Sequence, residues 1–346
     1  MKTVYSEKHR LHAPKEELHN GLVGPPFEKP ERAEMILKAL KEKGCHEILA
    51  PEEFSFRHIE ALHDPGYLKL LQSAAREWRD LGRDGDALPA NWAAGTMRTA
   101  VPPVNLDGRL GYYSFSGDSR IGEGTWTAAL SSAHCALTGM KLLLSGESGV
   151  FSLCRPPGHH AARDLFGGYC FLNNAALAAQ YALDAGAAKT AILDLDFHHG
   201  NGTQDLFYHR KDVYFFSLHG DPLYTFPYFT GFADQRGSGE GEGFTMNYPL
   251  LPGSDAETWF AALDDACRRL REFRPEVLVV SLGVDTYEGD PLSSFKIRAE
   301  DFIEAGRRLG ALKLPTLIVM EGGYAVDDIG VNVCNVLHGY AEENPA

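Results

Sequence analysis

Residues 190–204, TAILDLDFHHGNGTQ, place acidic and histidine side chains directly after a short apolar segment. The apolar part has the length and β-branched character of a buried parallel strand. Alternate residues of a strand point to one face, and those that can share a face here are Asp194, Asp196 and His198. Such groups at the carboxyl end of a strand predict part of a metal site. The alternative, that they only cap the next helix, is less favoured because unpaired buried charge is costly.

One further carboxylate completes a possible ligand set. Asp285 follows the apolar run 277–282, and together with Asp196 and His198 it would supply two oxygens and one nitrogen. Three protein ligands leave positions open for water and substrate, as catalytic zinc sites do. The same donors also suit Fe²⁺ or Co²⁺. Asp285 could instead cap a helix.

The tandem histidines His159 and His160 are suited to proton transfer near neutral pH. They follow a rigid Pro-Pro-Gly turn, which can present both rings together. Asp194 is placed to accept a hydrogen bond from one ring and Asn201 to hold the other, which would push the two pKa values apart. A histidine pair alone is weak evidence, and its weight comes from the acidic segment beside it.

Tyr324 is a candidate donor to a developing oxyanion, because two glycines precede it and allow its hydroxyl to move. The same segment could be an ordinary turn with a packed aromatic ring. His199 and His219 are interpreted as core residues or supporting neighbours rather than ligands. The histidines near the start of the chain lack metal-ligand spacing and are predicted to be surface residues: His9, His12 and His19.

Apolar runs alternate with helical segments through the second half of the chain. The runs are 150–153, 191–193, 213–218, 277–282 and 316–320, and helices are predicted at about 174–184, 256–273 and 299–312. This alternation predicts an α/β fold with one mostly parallel sheet and helices on both faces. Each run ends in potentially reactive residues, and ligands bind at the carboxyl ends of such strands. Five such ends predict one active-site rim.

Earlier in the chain, a short strand is expected at Thr3-Val4-Tyr5, and helices after Pro30, from about Pro65 and over residues 124–144. Residues 81–113 are rich in Gly, Pro and Asn and predict a long loop. A loop of that length in a compact domain is usually functional or binds a partner. No linker or repeat interrupts the 346 residues, so one domain is predicted for residues 1–346.

Composition narrows the class of protein. Hydrophobic residues make up 44% and charged residues 23%, as in soluble globular proteins. The net charge of −14 disfavours nucleic-acid and anionic-membrane partners and is compatible with cationic substrates. There is no signal-like segment and no membrane-length apolar run, so a cytoplasmic location is predicted. The six cysteines include no CxxC pair and are predicted to be reduced thiols: Cys45, Cys135, Cys154, Cys170, Cys267 and Cys334.

Several motifs together resemble the histone deacetylase superfamily. They occur in the family's order, between residues 155 and 324: RPPGHHA, GYCFLNN, DLDFHHGNGTQ, SLHGDP, GVDTYEGDP and EGGY. Among its branches, the chain is most similar to the bacterial acetylpolyamine amidohydrolases, through PPFEKPERAE (25–34) and GRLGYY (108–113). The resemblance implies the arginase/deacetylase α/β fold and zinc on Asp196, His198 and Asp285.

The resemblance also implies roles for individual residues. His160 matches the general base, His159 the second histidine held by Asp194, and Tyr324 the tyrosine that polarises the carbonyl. Asn201 stands where many lysine deacetylases carry Asp. A structural potassium ion is implied at Asp194, Asp196, His198, Ser217 and Leu218, largely through carbonyl groups. The residues implied at the substrate tunnel are Gly168, Tyr169 and Phe226, with Asp107 and Asp118 where the polyamine branch carries Glu.

The function expected from the resemblance is hydrolysis of an N-acetylated polyamine to acetate and the free amine. In that branch the loop before the active site pairs two subunits and narrows the entrance, which residues 81–113 would do in a homodimer. The alternatives are a protein acetyl-lysine deacetylase, a two-metal ureohydrolase of the same fold, and an inactive protein that binds acetylated amines. A two-metal site would need further carboxylate ligands near the positions of Gly200 and Asn201. The absence of carboxylates at these two positions favours one catalytic metal.

Overall fold

The computed structural model describes residues 1–44, 46–97 and 99–344. Its strands are β1 Lys2–Val4, β2 Glu17–His19, β3 Leu22–Gly24, β4 Glu47–Leu49, β5 Gly149–Ser152, β6 Thr190–Asp194, β7 Val213–Gly220, β8 Thr245–Leu250, β9 Val277–Leu282 and β10 Thr316–Met320. Its α-helices are α1 Glu31–Lys43, α2 Arg57–Glu60, α3 Pro65–Asp80, α4 Leu106–Tyr112, α5 Thr125–Leu144, α6 Asn174–Asp184, α7 Asn201–Phe207, α8 Ala256–Phe273, α9 Asp301–Gly310 and α10 Ile329–Glu343.

Eight of the strands form one sheet in the order β4-β1-β5-β10-β9-β6-β7-β8. Every neighbouring pair in this sheet is parallel. Strands β2 and β3 form a separate antiparallel hairpin. The predicted α/β architecture with a parallel sheet is therefore confirmed.

Both faces of the sheet are buried, as a parallel sheet requires. Along β6, Ile192 packs into one apolar cluster while Ala191 and Leu193 pack into the other. The first cluster draws on α3, α5 and α6, and the second on α1, α8, α9 and α10. Alternate side chains of this strand thus pack into two different apolar cores, and the strand lies between them.

The strand order brings together the ends that carry the reactive residues. The five apolar runs recognised in the sequence are five adjacent strands, β5-β10-β9-β6-β7. In register, Asp194 at the end of β6 lies beside Ser217 of β7 on one side and Ser281 of β9 on the other. Because all five strands run the same way, the segments that follow them leave the sheet at one edge. The prediction of a single rim is confirmed.

Local signals explain the helix boundaries near this edge. The Asp64 side chain accepts hydrogen bonds from the amides of Gly66 and Tyr67 and begins α3. The Asn173 side chain accepts a 3.0 Å hydrogen bond from the Ala176 amide and begins α6. Gly44 ends α1 with φ +65°. The predicted helices 174–184 and 256–273 have the observed bounds, and the helix drawn at 299–312 is shorter, at Asp301–Gly310.

Three expectations need correction. Strand β6 ends at Asp194, so Asp196 and His198 lie in the segment beyond it rather than on a shared strand face. Residues 81–113 contain α4 and a bridge between Ala87 and Ile121, so this segment is not a structureless loop.

The third correction concerns His9 and His12, which are buried rather than on the surface. Their carbonyl oxygens accept hydrogen bonds of 2.7 and 2.8 Å from the buried Arg155 guanidinium, and this pulls the N-terminal segment into the protein. His19 is half-buried. Cys45 lies outside the described residues, and no disulfide joins the cysteines that are described. Within the same residues, no helix has the length and apolarity needed to cross a membrane.

Candidate active site

Three predicted ligands converge at the rim. Asp196, His198 and Asp285 place one ligand atom each so that all three lie within 4.8 Å of one another. The His198 Nδ1 atom is 3.3 Å from Asp196 Oδ1 and 3.0 Å from Asp285 Oδ2. Asp196 and Asp285 are fully buried, and His198 is nearly so. Two carboxylate oxygens and one imidazole nitrogen therefore face a common point.

Main-chain amides hold the carboxylates in this orientation. Phe197 N donates to Asp285 Oδ1 at 2.8 Å, and Gly322 N donates to Asp196 Oδ2 at 2.7 Å. A Cβ on Gly322 would collide with both carboxylates, so their close packing requires glycine there. The other oxygens, Asp196 Oδ1 and Asp285 Oδ2, face the common point, and Asp196 Oδ1 also accepts a 2.9 Å hydrogen bond from the His198 amide.

The charges of the buried carboxylates around this point favour the binding of a cation. Burial and the neighbouring Asp196 raise the pKa of Asp285 to about 7. Burial would lower the pKa of His198, but its hydrogen bonds to Asp196 and Asp285 outweigh burial and raise the pKa to about 10. Both shifts reflect two buried negative groups with too little positive charge between them. The donor set fits a divalent metal with nitrogen and oxygen ligands.

The tandem histidines lie beside this group and have different partners. His159 Nδ1 is 3.0 Å from Asp194 Oδ2, and His160 Nδ1 is 2.6 Å from Asn201 Oδ1. Their ring centroids are 4.0 Å apart. In each case the acceptor oxygen fixes the proton on Nδ1, which leaves Nε2 as the second functional atom of the ring.

The two environments shift the imidazole pKa values in opposite directions. Burial lowers the pKa of His160 well below its usual 6.5, and the neighbouring His159 and His198 lower it further. Burial would also lower the pKa of His159, but the carboxylates of Asp196, Asp194 and Glu321 outweigh it and raise the pKa to about 10. One ring is suited to accept a proton and the other to keep one.

Tyr324 lies on the other side of the site. Its ring packs against Tyr169, with centroids 5.6 Å apart, and the Arg32 guanidinium lies 4.8 Å from the ring centroid. Its amide donates to Asp290 Oδ2 at 2.6 Å, which fixes the segment. Burial raises the pKa of the phenol well above its usual value of 10.0. The hydroxyl therefore stays protonated and remains a hydrogen-bond donor at neutral pH.

A cavity of about 380 Å³ leads from the protein surface to these groups. Its foot is lined by His160, His198 and Tyr324, and its walls include Tyr169 and Phe226. The Phe226 ring stacks on Phe115 with centroids 5.7 Å apart and packs edge-on against His160.

Gly168 and Tyr169 form a close wall beside the histidine pair. Gly168 has φ +56°, and a Cβ there would overlap the His160 ring. Asp118 Oδ1 accepts a 2.9 Å hydrogen bond from the Gly168 amide, and Asp118 itself lines the cavity. Burial raises the pKa of this carboxyl group. The cavity thus carries an acidic group on its wall, apart from the candidate metal ligands.

Residues 26–340 match the family described as the Histone deacetylase domain. The chain belongs to the histone deacetylase family. As a member, it is an enzyme of the hydrolase class that acts on amides. The family also implies a metal-dependent deacetylase, which agrees with the ligand-type groups found at the rim.

Relatives are similar over nearly their whole length. The chain is 52% identical to acetylpolyamine amidohydrolase 2 of Pseudomonas aeruginosa over 98% of each chain. It is 49% identical to the acetylpolyamine amidohydrolase of Mycoplana ramosa over 99% of this chain and 100% of that one. A crystal structure of acetylpolyamine aminohydrolase from Burkholderia pseudomallei superposes with a TM-score of 0.94 at 38% identity, over 99% of both chains.

Not every predicted residue of this histone deacetylase family member reaches the cavity. Asp107, at the start of α4, is absent from the cavity lining, and both of its carboxylate oxygens pair with the Arg83 guanidinium. His199 and His219 are buried at the core with ring centroids 4.5 Å apart. His219 Nε2 bonds to the Gly231 carbonyl at 2.8 Å and its Nδ1 to the Ser217 hydroxyl at 2.8 Å.

Other site residues of this deacetylase-family chain were not predicted. Glu17 on β2 is buried, and its Oε1 accepts a 3.0 Å hydrogen bond from the Tyr169 hydroxyl. The turn of the same hairpin lines the cavity mouth through His19 and Asn20. The Asn20-Gly21 pair, with φ values of +50° and +79°, is a strong hairpin signal that could have placed this element. No comparable signal in the sequence marks Glu17 as the hydrogen-bond partner of Tyr169.

Proposed function

We propose that the protein is a metal-dependent deacetylase that hydrolyses N-acetylated polyamines to acetate and the free amine. The observation that carries the proposal is one cavity. Its lining includes His198 of the candidate ligand group, His160 of the histidine pair, Tyr324 and the acidic residue Asp118. The names of the relatives at about half sequence identity support the same substrate class.

The residues that would hold the metal are Asp196, His198 and Asp285. The proposed ion is Zn²⁺, with Fe²⁺ or Co²⁺ as alternatives for this donor set. When bound, it would polarise the acetyl carbonyl and lower the pKa of a coordinated water. The rest of the mechanism follows from the chain's own side chains.

His160 accepts the proton of the attacking water. Its Nδ1–H donates to Asn201, so the free lone pair is on Nε2. Its lowered pKa keeps the ring neutral at physiological pH, as a general base requires. The amide nitrogen then receives a proton from a histidine of the pair, and His159, held by Asp194, favours the protonated form.

Tyr324 donates a hydrogen bond from its hydroxyl group to the carbonyl oxygen as negative charge develops there. Its phenol stays protonated, and the segment carrying it is anchored through Asp290. A donor fixed before the reaction costs little reorganisation and stabilises the transition state more than the ground state.

The cavity suits a slender substrate that carries a positive charge. Aromatic side chains of Tyr169 and Phe226 flank the foot, where an acetyl group and methylene chain would lie. Asp118 on the wall would meet an ammonium group further along the chain. The donors to its Oδ1, from Ser116, Ser119 and Gly168, are neutral, and within the part of the chain that the structure describes Asp118 forms no ion pair.

We extend the proposal to a homodimer in which residues 81–113 narrow the entrance. Exposed apolar side chains in this segment support a protein partner: Trp92, Met97, Val101 and Val104. Asp107, which pairs with Arg83 outside the cavity, would then act at the entrance of the second subunit. A structural K⁺ at Asp194, Asp196, His198, Ser217 and Leu218 and a cytoplasmic location complete the proposal.

A substrate panel on metal-defined enzyme tests the function. Acetate release is measured with N-acetylputrescine, N-acetylcadaverine and N-acetylspermidine and compared with an acetyl-lysine peptide. The polyamine derivatives should give the higher kcat/KM. Preference for the peptide would make the protein a lysine deacetylase instead, and no acetate from any substrate would reject hydrolysis of acetyl amides.

A further inference from the structure

Glu321 is a buried acidic residue to which the proposed reaction assigns no contact with the substrate or with the proposed metal. It follows directly after β10 and is 0% exposed. Its amide donates to the Leu282 carbonyl of β9 at 2.8 Å, and its own carbonyl accepts a 2.6 Å hydrogen bond from Arg32 Nη2. These two hydrogen bonds fix the main chain of Glu321.

The Glu321 side chain crosses to the neighbouring strand end. Its Oε2 atom accepts hydrogen bonds from the amides of Gly158 at 2.6 Å and His159 at 3.1 Å. These residues follow β5, which pairs with β10. One carboxylate oxygen thus connects the segment leading to Tyr324 with the turn that carries both catalytic histidines.

The His159 main chain is held from its other side by α7. The His159 carbonyl accepts hydrogen bonds of 3.1 Å from the amides of Gly202 and Thr203. The same helix contains Asn201, which bonds to the His160 ring. The turn that carries the two histidines is therefore held from two sides, by hydrogen bonds to the Glu321 side chain and by hydrogen bonds from the first turn of α7.

The cost of this arrangement points to a role in function. Glu321 Oε1 is buried and has no hydrogen-bond partner among the described residues. Burial raises the pKa of the carboxyl group to about 7. A buried carboxylate with one unpaired oxygen lowers stability, and a neutral side chain would fill the space at lower cost. A buried carboxylate of this kind is expected where a functional site needs a strong hydrogen-bond acceptor.

We propose that Glu321 is a positioning residue that sets the reactive geometry of His159 and His160 through the amides of Gly158 and His159. The inference rests on the proposed hydrolysis, in which these rings move protons. Glu321 does not line the cavity, so it acts on turnover and not on substrate binding. A shift of about 1 Å in a reacting group can cost roughly 100-fold in rate, so a loosened turn should be visible in kcat.

Two substitutions separate the anchoring role from other roles. Glu321→Gln keeps a carbonyl oxygen that can accept from both amides, whereas Glu321→Met keeps the approximate size without an acceptor. Ser281→Ala is the matched control, because it removes a buried polar atom from neighbouring β9 that also has no partner among the described residues. Acetate release from N-acetylputrescine, bound metal, melting temperature and the amide NMR shifts of Gly158 and His159 are measured for each.

The expected result is a roughly 10- to 100-fold lower kcat for Glu321→Met, with KM within about two-fold and metal content unchanged. Glu321→Gln should recover most of the turnover, and the Gly158 and His159 amide signals should move upfield only in the methionine variant. Unchanged kcat in Glu321→Met would overturn the proposal. So would equal losses in the glutamine and methionine variants, because charge rather than anchoring would then matter.

Failure of the proposed function is recognised separately. If the wild-type enzyme releases no acetate from N-acetylputrescine, the polyamine assignment fails, and the variants are compared on the acetyl-lysine peptide. The amide NMR shifts need no substrate. If they are the same in wild type and Glu321→Met, the anchoring contact does not exist in solution and the inference is wrong.

Discussion

His160 donates from Nδ1 to the side-chain amide oxygen of Asn201, at a distance of 2.6 Å. The adjacent His159 has a carboxylate partner, Asp194, in the corresponding position. A neutral acceptor fixes the His160 tautomer without favouring the imidazolium, whereas a carboxylate favours it. The difference between the two partners therefore determines which ring can serve as a base.

Asn201→Asp should move the acid side of the pH–rate profile to higher pH. The lowered pKa of His160 places the loss of activity well below pH 6.5 in the wild type, where the base becomes protonated. A carboxylate partner raises that pKa, by about one to three units. The profile of kcat/KM against pH measures the shift. Asn335→Asp on α10 serves as the control, and an unchanged acid side in Asn201→Asp would argue against His160 as the base.

Tyr324→Phe should lower kcat by roughly 100-fold or more, the loss typical of one oxyanion donor. The ring and its packing against Tyr169 and Arg32 are kept, so KM and melting temperature should change little. Tyr181→Phe on α6 controls for the loss of a phenol elsewhere. Turnover at the native rate in Tyr324→Phe would remove the tyrosine from the mechanism.

Asp285→Asn should have opposite effects on stability with and without metal. In metal-free protein near pH 8, the variant should melt higher than the wild type. Burial and repulsion from Asp196 raise the pKa of Asp285 to about 7, and the substitution removes the charge that both disfavour. With excess Zn²⁺ the order should reverse, since binding to the folded state stabilises the wild type more. Melting curves with chelator and with metal test this. An unchanged order in both conditions would mean that no ion binds there.

Asp118→Asn should discriminate between charged and neutral substrates. Loss of one charged hydrogen-bond partner typically costs about 1.5–3 kcal/mol, so kcat/KM for N-acetylputrescine should fall by roughly 10- to 100-fold. N-butylacetamide, which has a similar length without the ammonium group, should lose far less. Asparagine can still accept from the Gly168 amide, so the wall should keep its shape. Equal losses on both substrates would show that Asp118 shapes the wall only.

Glu17→Gln should change the pH dependence of stability. Burial raises the pKa of Glu17 to about 7 from 4.5, so ionisation is disfavoured in the folded state. The wild type therefore loses stability as the pH rises through this window, and the variant does not. The melting temperature of the variant minus that of the wild type should grow between pH 4.5 and 7. Glu16→Gln is the exposed neighbouring control, and a constant difference for Glu17→Gln would contradict the prediction.

Much of the fold could be read from the sequence because its strongest patterns are local. The five apolar runs were placed correctly, since a strand buried on both faces needs a continuous apolar sequence. Helices α6 and α8 were predicted with their observed bounds, and α9 was predicted a few residues too long. The clustering of Asp196, His198 and Asp285 was also predictable, because these residues come soon after such runs. Because β6 and β9 are adjacent in the sheet, the residues that follow these two strands lie close together.

Elements with weaker or ambiguous patterns were missed. Helix α10 has apolar residues at helical spacing, Val333, Val336, Leu337 and Tyr340, but was not assigned. The three-residue strand β4 is too short for any periodicity.

Interactions distant in sequence could not be read at all. The burial of His9 and His12 depends on Arg155, which lies more than 140 positions away along the chain. The pairing of Asp107 with Arg83 likewise depends on how α4 packs. Such contacts follow from the packing of the whole chain.

The left-handed backbone at Gly168 limits how this enzyme could be redesigned. Any side chain there would displace the His160 ring, so no side chain can extend into the cavity from that position without moving the proposed base. Changes of substrate preference must instead come from Asp118, Phe226 or the β2–β3 hairpin, which also line the cavity. Directed evolution of the pocket should accumulate changes at those places and leave residue 168 as glycine.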